Sequence, residues 1–175
     1  LPFSQDYINM EPCLSPDGKK MFFSSNRPRD GKGAGEKFPD IWMVEKMAGK
    51  WDEPKNLGDP VNRLEIAVQP FYGADDRLYF GGQAADGKAR GIYVSQYSKG
   101  SFGEPVKLDE RIFGSQVSGP CLSPDGRTLI VHARKVGGFG GWALYASFRN
   151  EGGVWGELIN LGKAFGEPLF DGFDF

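Results

Sequence analysis

One short sequence pattern recurs in this chain and limits what it can fold into. A segment with Ser-Pro-Asp-Gly at its centre occupies residues 11–23 and returns at residues 119–131, and a looser copy lies at residues 69–80. Proline presets φ, aspartate hydrogen-bonds to the local backbone and glycine tolerates a positive φ, so this tetrapeptide predicts a tight turn. Aromatic and β-branched residues on both sides favour strands. Each copy therefore predicts a β-hairpin, and the recurrence predicts a repeat architecture.

Two further signals follow each hairpin in the same order. The first is a strand pattern at residues 40–44, 91–95 and 142–146, and the second is an aromatic residue at Trp51, Phe102 and Trp155 that opens a short polar segment. Each period thus holds four short strands in about 40 to 50 residues, which is the size of one propeller blade. Because the aromatic residue recurs in every copy, we expect it to pack between blades rather than to bind a ligand.

The sequence predicts an all-β propeller of four-stranded antiparallel blades, with almost no helix. The expected blades are residues 10–58, 68–108 and 118–162, and the start of a further blade is expected at 167–175. Packing of neighbouring sheets is the only core that such an array has. The expected inner-face residues are Leu14, Phe22, Trp42, Tyr72, Leu78, Tyr93, Leu122, Leu129 and Tyr145.

The same motifs carry a family resemblance. Ser15-Pro16-Asp17-Gly18, Asp40-Ile41-Trp42 and Trp51-Asp52-Glu53-Pro54 resemble the WD40-like repeat of TolB-like β-propellers, a repeat that also occurs in bacterial envelope proteins linked to peptidoglycan-binding domains. The resemblance covers nearly the whole chain and is weakest in the second copy, where Ala74-Asp75-Asp76 replaces Pro-Asp-Gly. It implies a periplasmic or envelope-associated bacterial protein. It says little about activity, because one propeller scaffold hosts unrelated functions.

The connecting segments supply the candidate binding residues. In an up-and-down blade, the loop between the second and third strands emerges on the same side as the link between blades, so both ring the mouth of the central channel. The longest such loop, residues 24–39, is charged and is either a recognition loop or a solvated insertion. The candidate ligand-binding residues at the mouth are Glu11, Arg27, Glu65, Gln69, Arg90, Gln116, Arg134, Asp171 and Asp174.

Residues for catalysis or metal binding are sparse. His132 is the single histidine and no Gly-x-Ser-x-Gly segment accompanies it, so no catalytic residue is predicted. Cys13 and Cys121 hold equivalent positions two blades apart, beyond disulfide reach, and are expected to be small buried hydrophobes. The sequence indicates neither a metal site nor a cofactor. A net charge of −2 argues against nucleic acid as a partner, and without an apolar run of about 18 residues no membrane span is expected.

Two functions stay open at this point. The first is a non-catalytic TolB-like propeller that binds a protein or peptide through its loop face. The alternative is a carbohydrate-active or peptidase-associated propeller with acidic residues at the channel mouth. Propellers close with roughly four to eight blades, so three blades predict completion either by a second copy, as a homodimer with six blades in all, or by missing blades of a longer parent chain. The longer parent is favoured, because the sequence begins and ends between blades.

Overall fold

The computed structural model describes residues 7–30, 32–134 and 141–162. These residues form three antiparallel sheets that follow one another along the chain. Helix is limited, within the described ranges, to a 3₁₀ turn at Val61–Arg63 and one short helix, α1, at Glu110–Phe113. The all-β prediction is therefore confirmed.

Sheet 1 begins with three paired strands, β1 (Asn9–Leu14), β2 (Lys20–Ser25) and β3 (Asp40–Met47). Its outermost strand is divided into two short segments, β4 (Lys50–Trp51) and β5 (Lys55–Asn56), which both pair with β3. Pro54 lies between the two segments and has no backbone N–H to donate to β3. The sheet thus has five strands and not the predicted four.

Sheets 2 and 3 repeat this plan. Sheet 2 contains β6 (Ile66–Tyr72), β7 (Arg77–Gln83), β8 (Arg90–Ser98), β9 (Ser101–Phe102) and β10 (Val106–Lys107). Sheet 3 contains β11 (Val117–Leu122), β12 (Thr128–Ala133), β13 (Ala143–Phe148) and β14 (Ile159–Asn160). Sheet 2 again has five strands and sheet 3 has four, in which a single bridge between Arg149 and Trp155 stands in place of the first outer segment.

The Ser-Pro-Asp-Gly turns of sheets 1 and 3 have the same hydrogen bonds. The Ser15 hydroxyl donates to the Asp17 carboxylate at 2.6 Å, and that carboxylate also accepts from the Lys19 N–H. In sheet 3 the Ser123 hydroxyl donates to Asp125 at 2.5 Å, which accepts from the Arg127 N–H. These bonds hold the pKa of both aspartates below the ordinary value, with the serine bond as the larger cause. The aspartates therefore form turns, as the sequence indicates.

The sheets pack face to face in chain order, which gives a propeller-like array. We call the face of a sheet that points toward the preceding sheet its leading face, and the opposite face its trailing face. Phe22 and Ile41 on the trailing face of sheet 1 pack against Tyr72, Leu78 and Phe80 on the leading face of sheet 2. The Phe22 and Tyr72 rings stack with their centroids 4.9 Å apart.

The second interface uses the same positions one sheet further along. Tyr79 and Ile92 on the trailing face of sheet 2 pack against the leading face of sheet 3, which is formed by Leu122, Leu129, Val131, Tyr145 and Trp155. The outer aromatic residue of sheet 3, Trp155, is buried in this core. The expectation that this landmark packs between sheets thus holds for Trp155, whereas Phe102 is half-buried at the first interface and Trp51 is half-buried against the leading face of sheet 1.

Two expectations about burial are wrong. Leu14 was expected in the core but is 54% exposed, because its equivalents Tyr72 and Leu122 pack against a preceding sheet and no described sheet precedes sheet 1. The two cysteines were expected to be buried, but Cys13 is half-buried and Cys121 is exposed, because Cys121 lies on the trailing face of sheet 3, against which no described sheet packs. All other predicted core residues are buried.

Candidate functional site

The loop between the second and third strands of each sheet and the link to the next sheet emerge at the same end of the array. This follows from the antiparallel order of the strands, and it places residues 26–39 beside the link that connects β5 to β6. We call this end the loop face. The tight Ser-Pro-Asp-Gly turns lie at the opposite end.

Hydrogen bonds join each innermost strand to the next one along the chain: a side chain of the earlier strand accepts from a backbone N–H of the later strand. The Glu11 carboxylate on β1 accepts from the Ser24 hydroxyl at 2.7 Å and from the backbone N–H of Gln69 on β6 at 2.9 Å. The Gln69 side-chain oxygen in turn accepts from the backbone N–H of Gly119 on β11, also at 2.9 Å. Two predicted mouth residues, Glu11 and Gln69, are thus brought together, and each one binds the next innermost strand.

The backbone at these three positions explains why the N–H groups are available. Glu11, Gln69 and Gly119 have φ angles of 57°, 56° and 59°, and each lies in a bulge where the pairing register of the innermost strand shifts. A bulge leaves a backbone N–H out of the ladder, and the side chain from the preceding sheet accepts from it. Glutamine rarely adopts this left-handed conformation, so the bond that the Gln69 N–H donates to Glu11 offsets local strain there.

A groove of about 810 Å³ opens on the loop face beside sheet 1. It is lined by residues of the long loop between Pro28 and Phe38, by Asp40, and by residues of the link between Asp59 and Glu65. We call it the loop–link groove. One predicted site residue, Glu65, lies in it and is half-buried.

Arg29 is exposed, lines the loop–link groove and fastens the loop to the link. Its guanidinium donates to the Asp40 carboxylate at 2.7 Å and to the backbone carbonyl of Asn62, and it lies 3.8 Å from the Asp59 carboxylate. The hydrogen bond to Asp40 is the main reason why the pKa of Arg29 lies above its ordinary value. The loop is therefore anchored at Arg29.

The Asn62 side chain hydrogen-bonds the link to strand β3 of sheet 1. Its side-chain oxygen accepts from the Ile41 N–H and its amide donates to the Ile41 carbonyl, both at 2.9 Å, and the amide also donates to Asn56. The side chain is buried and hydrogen-bonded on both sides, as a buried amide requires. The groove consequently has a rigid wall.

The groove is lined by charges of both signs: four basic residues, Arg29, Lys32, Lys37 and Arg63, and five acidic ones, Asp30, Glu36, Asp40, Asp59 and Glu65. Arg63 pairs with Glu104 of sheet 2 at 2.9 Å, whereas Lys32 and Lys37 form no ion pair with any residue in the described ranges. The Lys37 ammonium lies 4.7 Å from the centre of the Phe38 ring. An exposed ammonium beside an aromatic ring can bind a carboxylate together with an apolar group.

The remaining predicted mouth residues are dispersed. Arg27 is buried, with its guanidinium 5.1 Å from the Tyr7 ring and 5.3 Å from the Trp42 ring. Arg90 is exposed at the start of β8. Gln116 and Arg134 are exposed neighbours, because the Arg134 N–H donates to the Gln116 carbonyl at 3.0 Å. Asp171 and Asp174 lie outside the described residues.

The link to sheet 3 contains an ion pair between Asp109 and Arg111, whose effect on the pKa of Asp109 can be measured. The Arg111 guanidinium, together with the Arg111 N–H, lowers the pKa of the Asp109 carboxyl to about 2. A pH titration followed by carboxyl ¹³C NMR should show this value. The stability gained from the pair is then present above about pH 4 and is lost as the pH falls toward the folded pKa. In Arg111→Ala the pKa should rise but stay below the ordinary value, since the backbone bond remains. An ordinary Asp109 pKa in the unaltered protein would contradict the geometry.

The comparisons with known proteins support the fold. No family model matches the sequence, and no curated protein matches it. Among solved structures, a protein of Agrobacterium tumefaciens assigned as TolB aligns with 91% of this chain, with a TM-score of 0.57 and 16% sequence identity. The fold is TolB-like. This chain spans 51% of that structure, so the likeness concerns about half of it.

The described residues do not form a metal centre, since no three His, Cys, Asp or Glu side chains converge in residues 7–30, 32–134 and 141–162. Within the same ranges, no helix has the length and apolar character needed to cross a bilayer. Sequence reasoning flagged the long charged loop but missed Asn62 and the Arg29 anchor. The sequence does contain one indication of the groove: charged residues are concentrated in the long loop and in the link, and the topology brings these two segments together.

Proposed function

We propose that this protein is a non-catalytic, TolB-like propeller that binds a protein or peptide through its loop face in a bacterial cell envelope. The observation that carries the proposal is the loop–link groove, in which Arg29 anchors the loop and the exposed Lys32 and Lys37 lie among charges of both signs. The envelope location rests on the resemblance to TolB-like repeats. The three sheets are proposed to be three blades.

The alternative of a carbohydrate-active or peptidase-associated propeller has less support. Such chemistry needs two carboxyl groups that face one substrate. Among the acidic residues named for the mouth, Glu11 is held by Ser24 and Gln69, and Glu65 lies in the loop–link groove. The Glu11 carboxylate is therefore engaged in joining the innermost strands.

The proposal predicts that photo-crosslinking depends on which end of the array carries the probe. A benzophenone side chain placed at Lys37, on the groove rim, should crosslink a discrete partner in a bacterial envelope extract. The matched control is the same probe at Lys19, an exposed lysine in the tight turn at the opposite end. Mass spectrometry of the crosslinked bands identifies the partner.

A second pair of variants defines the chemistry of binding. Lys32→Glu and Lys37→Glu should each weaken capture of the identified partner about tenfold if a carboxylate binds there, since a charge-assisted bond contributes about 1.5–3 kcal/mol. Equal crosslinking from positions 37 and 19, or none from either, would remove the loop face as the binding surface.

We further propose that additional blades or a second copy complete the propeller. The three-sheet array leaves the outward face of sheet 3 open. The binding proposal does not depend on this completion, because the loop–link groove is formed within sheet 1 and the link that follows it.

A further inference from the structure

Two groove residues of opposite charge lie beside the point where the long loop and the link come together. The Ala67 N–H near the start of β6 donates to the Pro39 carbonyl, just before β3, at 3.5 Å. Lys37 lies two residues before Pro39, and Glu65 lies two residues before Ala67. Because β3 and β6 both begin at the loop face, Lys37 and Glu65 are on the loop-face side of this bond, where both line the groove.

These two side chains do not neutralise each other. In the described part of the chain, neither Lys37 nor Glu65 makes an ion pair. Both arginines of the groove and two of its aspartates pair within the protein, as Arg29–Asp40, Arg29–Asp59, Arg63–Asp59 and Arg63–Glu104. The junction of loop and link thus leaves one ammonium and one carboxylate for a ligand.

The other charged side chains of the groove lie on the loop. Glu36 is close enough to the Arg29 guanidinium to contribute to the raised pKa of that group. Asp30 accepts from the Lys32 N–H within a local turn. On the link side, Glu65 is the single charged groove residue without an ion pair among the residues that the structure describes. A ligand that reaches the link therefore meets a carboxylate.

An apolar side chain accompanies each of the two charges. Phe38 follows Lys37 and Leu64 precedes Glu65, and both apolar residues line the groove and are half-buried. The Lys37 ammonium lies 4.7 Å from the centre of the Phe38 ring, and Leu64 packs against the core between sheets 1 and 2. Since the loop and the link are each hydrogen-bonded to sheet 1, these groups are held in place before a ligand arrives, which lowers the cost of binding.

The geometry points to a peptide segment of mixed charge as the ligand of the loop–link groove. An acidic side chain of the segment pairs with Lys37, and a basic side chain pairs with Glu65. An apolar side chain packs on Phe38 and Leu64. This inference rests on the function proposed above and names the chemistry of the segment that the loop face binds. A segment with charges of one sign would place a like charge against Lys37 or Glu65, so nucleic acids and strongly basic peptides are poor ligands.

Glu65 should contribute more to binding than Lys37. Glu65 is half-buried, whereas Lys37 is exposed. Solvent and salt weaken an exposed ion pair, and they weaken a partly buried pair less. A change of charge at Glu65 is therefore expected to have the larger effect.

Selection from a phage-displayed library of random peptides tests the inference. The library passes first over immobilised Glu65→Lys protein, and the unbound phage are then selected on the unaltered 175-residue chain. A parallel selection uses Lys37→Glu protein in the first step. Each first step removes the peptides that bind without the original residue, so the retained peptides depend on it. Both selections should retain the same peptides, and each of these should contain an acidic and a basic residue.

One retained peptide, synthesised with a fluorophore, measures the effect of each change. Its Kd in fluorescence anisotropy should rise about tenfold in Lys37→Glu and by more in Glu65→Lys, since a charge-assisted hydrogen bond contributes at least that factor. Lys19→Glu and Glu53→Lys, which change exposed residues outside the groove, are the matched controls and should leave the Kd unchanged. Glu65→Gln, which keeps the shape of the side chain, takes the place of Glu65→Lys if circular dichroism shows that the latter does not fold.

Exchange of the two charges separates specific pairing from loss of structure. A peptide with its acidic and basic residues exchanged should bind the double variant Lys37→Glu/Glu65→Lys more tightly than it binds the unaltered protein. Equal binding of this peptide to the two proteins would overturn the inference. Retained peptides with charges of one sign only, or no retained peptides, would overturn it as well. Crosslinking from position 37 makes no assumption about charge, so the proposed function and this inference can fail separately.

Discussion

Replacing Trp155 with alanine is expected to lower the free energy of unfolding by about 3–5 kcal/mol, which is the usual cost of removing a buried tryptophan. The indole is 8% exposed and lies in the core between sheets 2 and 3. Its ring meets the Phe113 ring edge to face at 6.5 Å, and the Arg149 guanidinium covers it at 4.5 Å. The indole N–H has no hydrogen-bond partner in the described residues, so the loss comes from packing.

Urea unfolding followed by circular dichroism measures this effect. Trp51→Ala is the matched control, because Trp51 holds the same position in sheet 1 but is only half-buried, and its replacement should cost clearly less. A cost below about 1 kcal/mol for Trp155→Ala, as for a surface residue, would show that the aromatic landmark is not part of the core. Ligand stacking would then have to be reconsidered for it.

Phe22→Ala should be comparably destabilising, by about 3–5 kcal/mol. Phe22 is almost fully buried where sheets 1 and 2 meet, and it contacts two aromatic rings of sheet 2. It stacks on Tyr72 at 4.9 Å and meets Phe102 edge to face at 6.1 Å. Its removal leaves a cavity that rigid strands on both sides cannot close.

The matched control for Phe22→Ala is Phe148→Ala, which removes the same side chain from the open trailing face of sheet 3. Because Phe148 is exposed in this chain, its replacement should cost less than about 0.5 kcal/mol. Equal costs at the two positions would contradict the packing order of the sheets. If the two core variants are combined, their costs should add, since they lie in separate cores.

Local sequence signals were sufficient to predict the strands and turns. The Ser-Pro-Asp-Gly tetrapeptide closes its own hydrogen bonds within six residues, as Ser15, Asp17 and Lys20 show, so its conformation does not depend on the rest of the chain. Alternation along each strand then identifies the inward residues. The split of the outer strand was not predictable from proline alone, because sheet 3 has the same split with Leu158 at the position of Pro54.

Contacts between distant residues were not predictable in the same way. Glu11 and Gln69 were predicted at the mouth because they lie in the links between blades, yet their bonding to the next innermost strand depends on bulges whose φ angles the sequence does not reveal. Asn62 reaches Ile41 across the link, and nothing in its neighbourhood marks it as buried. Leu14 was expected in the core from the pattern of its own strand, but it is exposed, because burial at this position requires a preceding sheet.

The divided outer strands have a consequence for how this protein can associate. A long exposed strand edge is a template on which other chains can add β-structure, and proteins protect such edges with short strands, lysines and prolines. Here β4, β5, β9, β10 and β14 are each two residues long, and Lys50, Lys55 and Lys107 lie on them. The periphery therefore resists the addition of further strands and fibril-like growth.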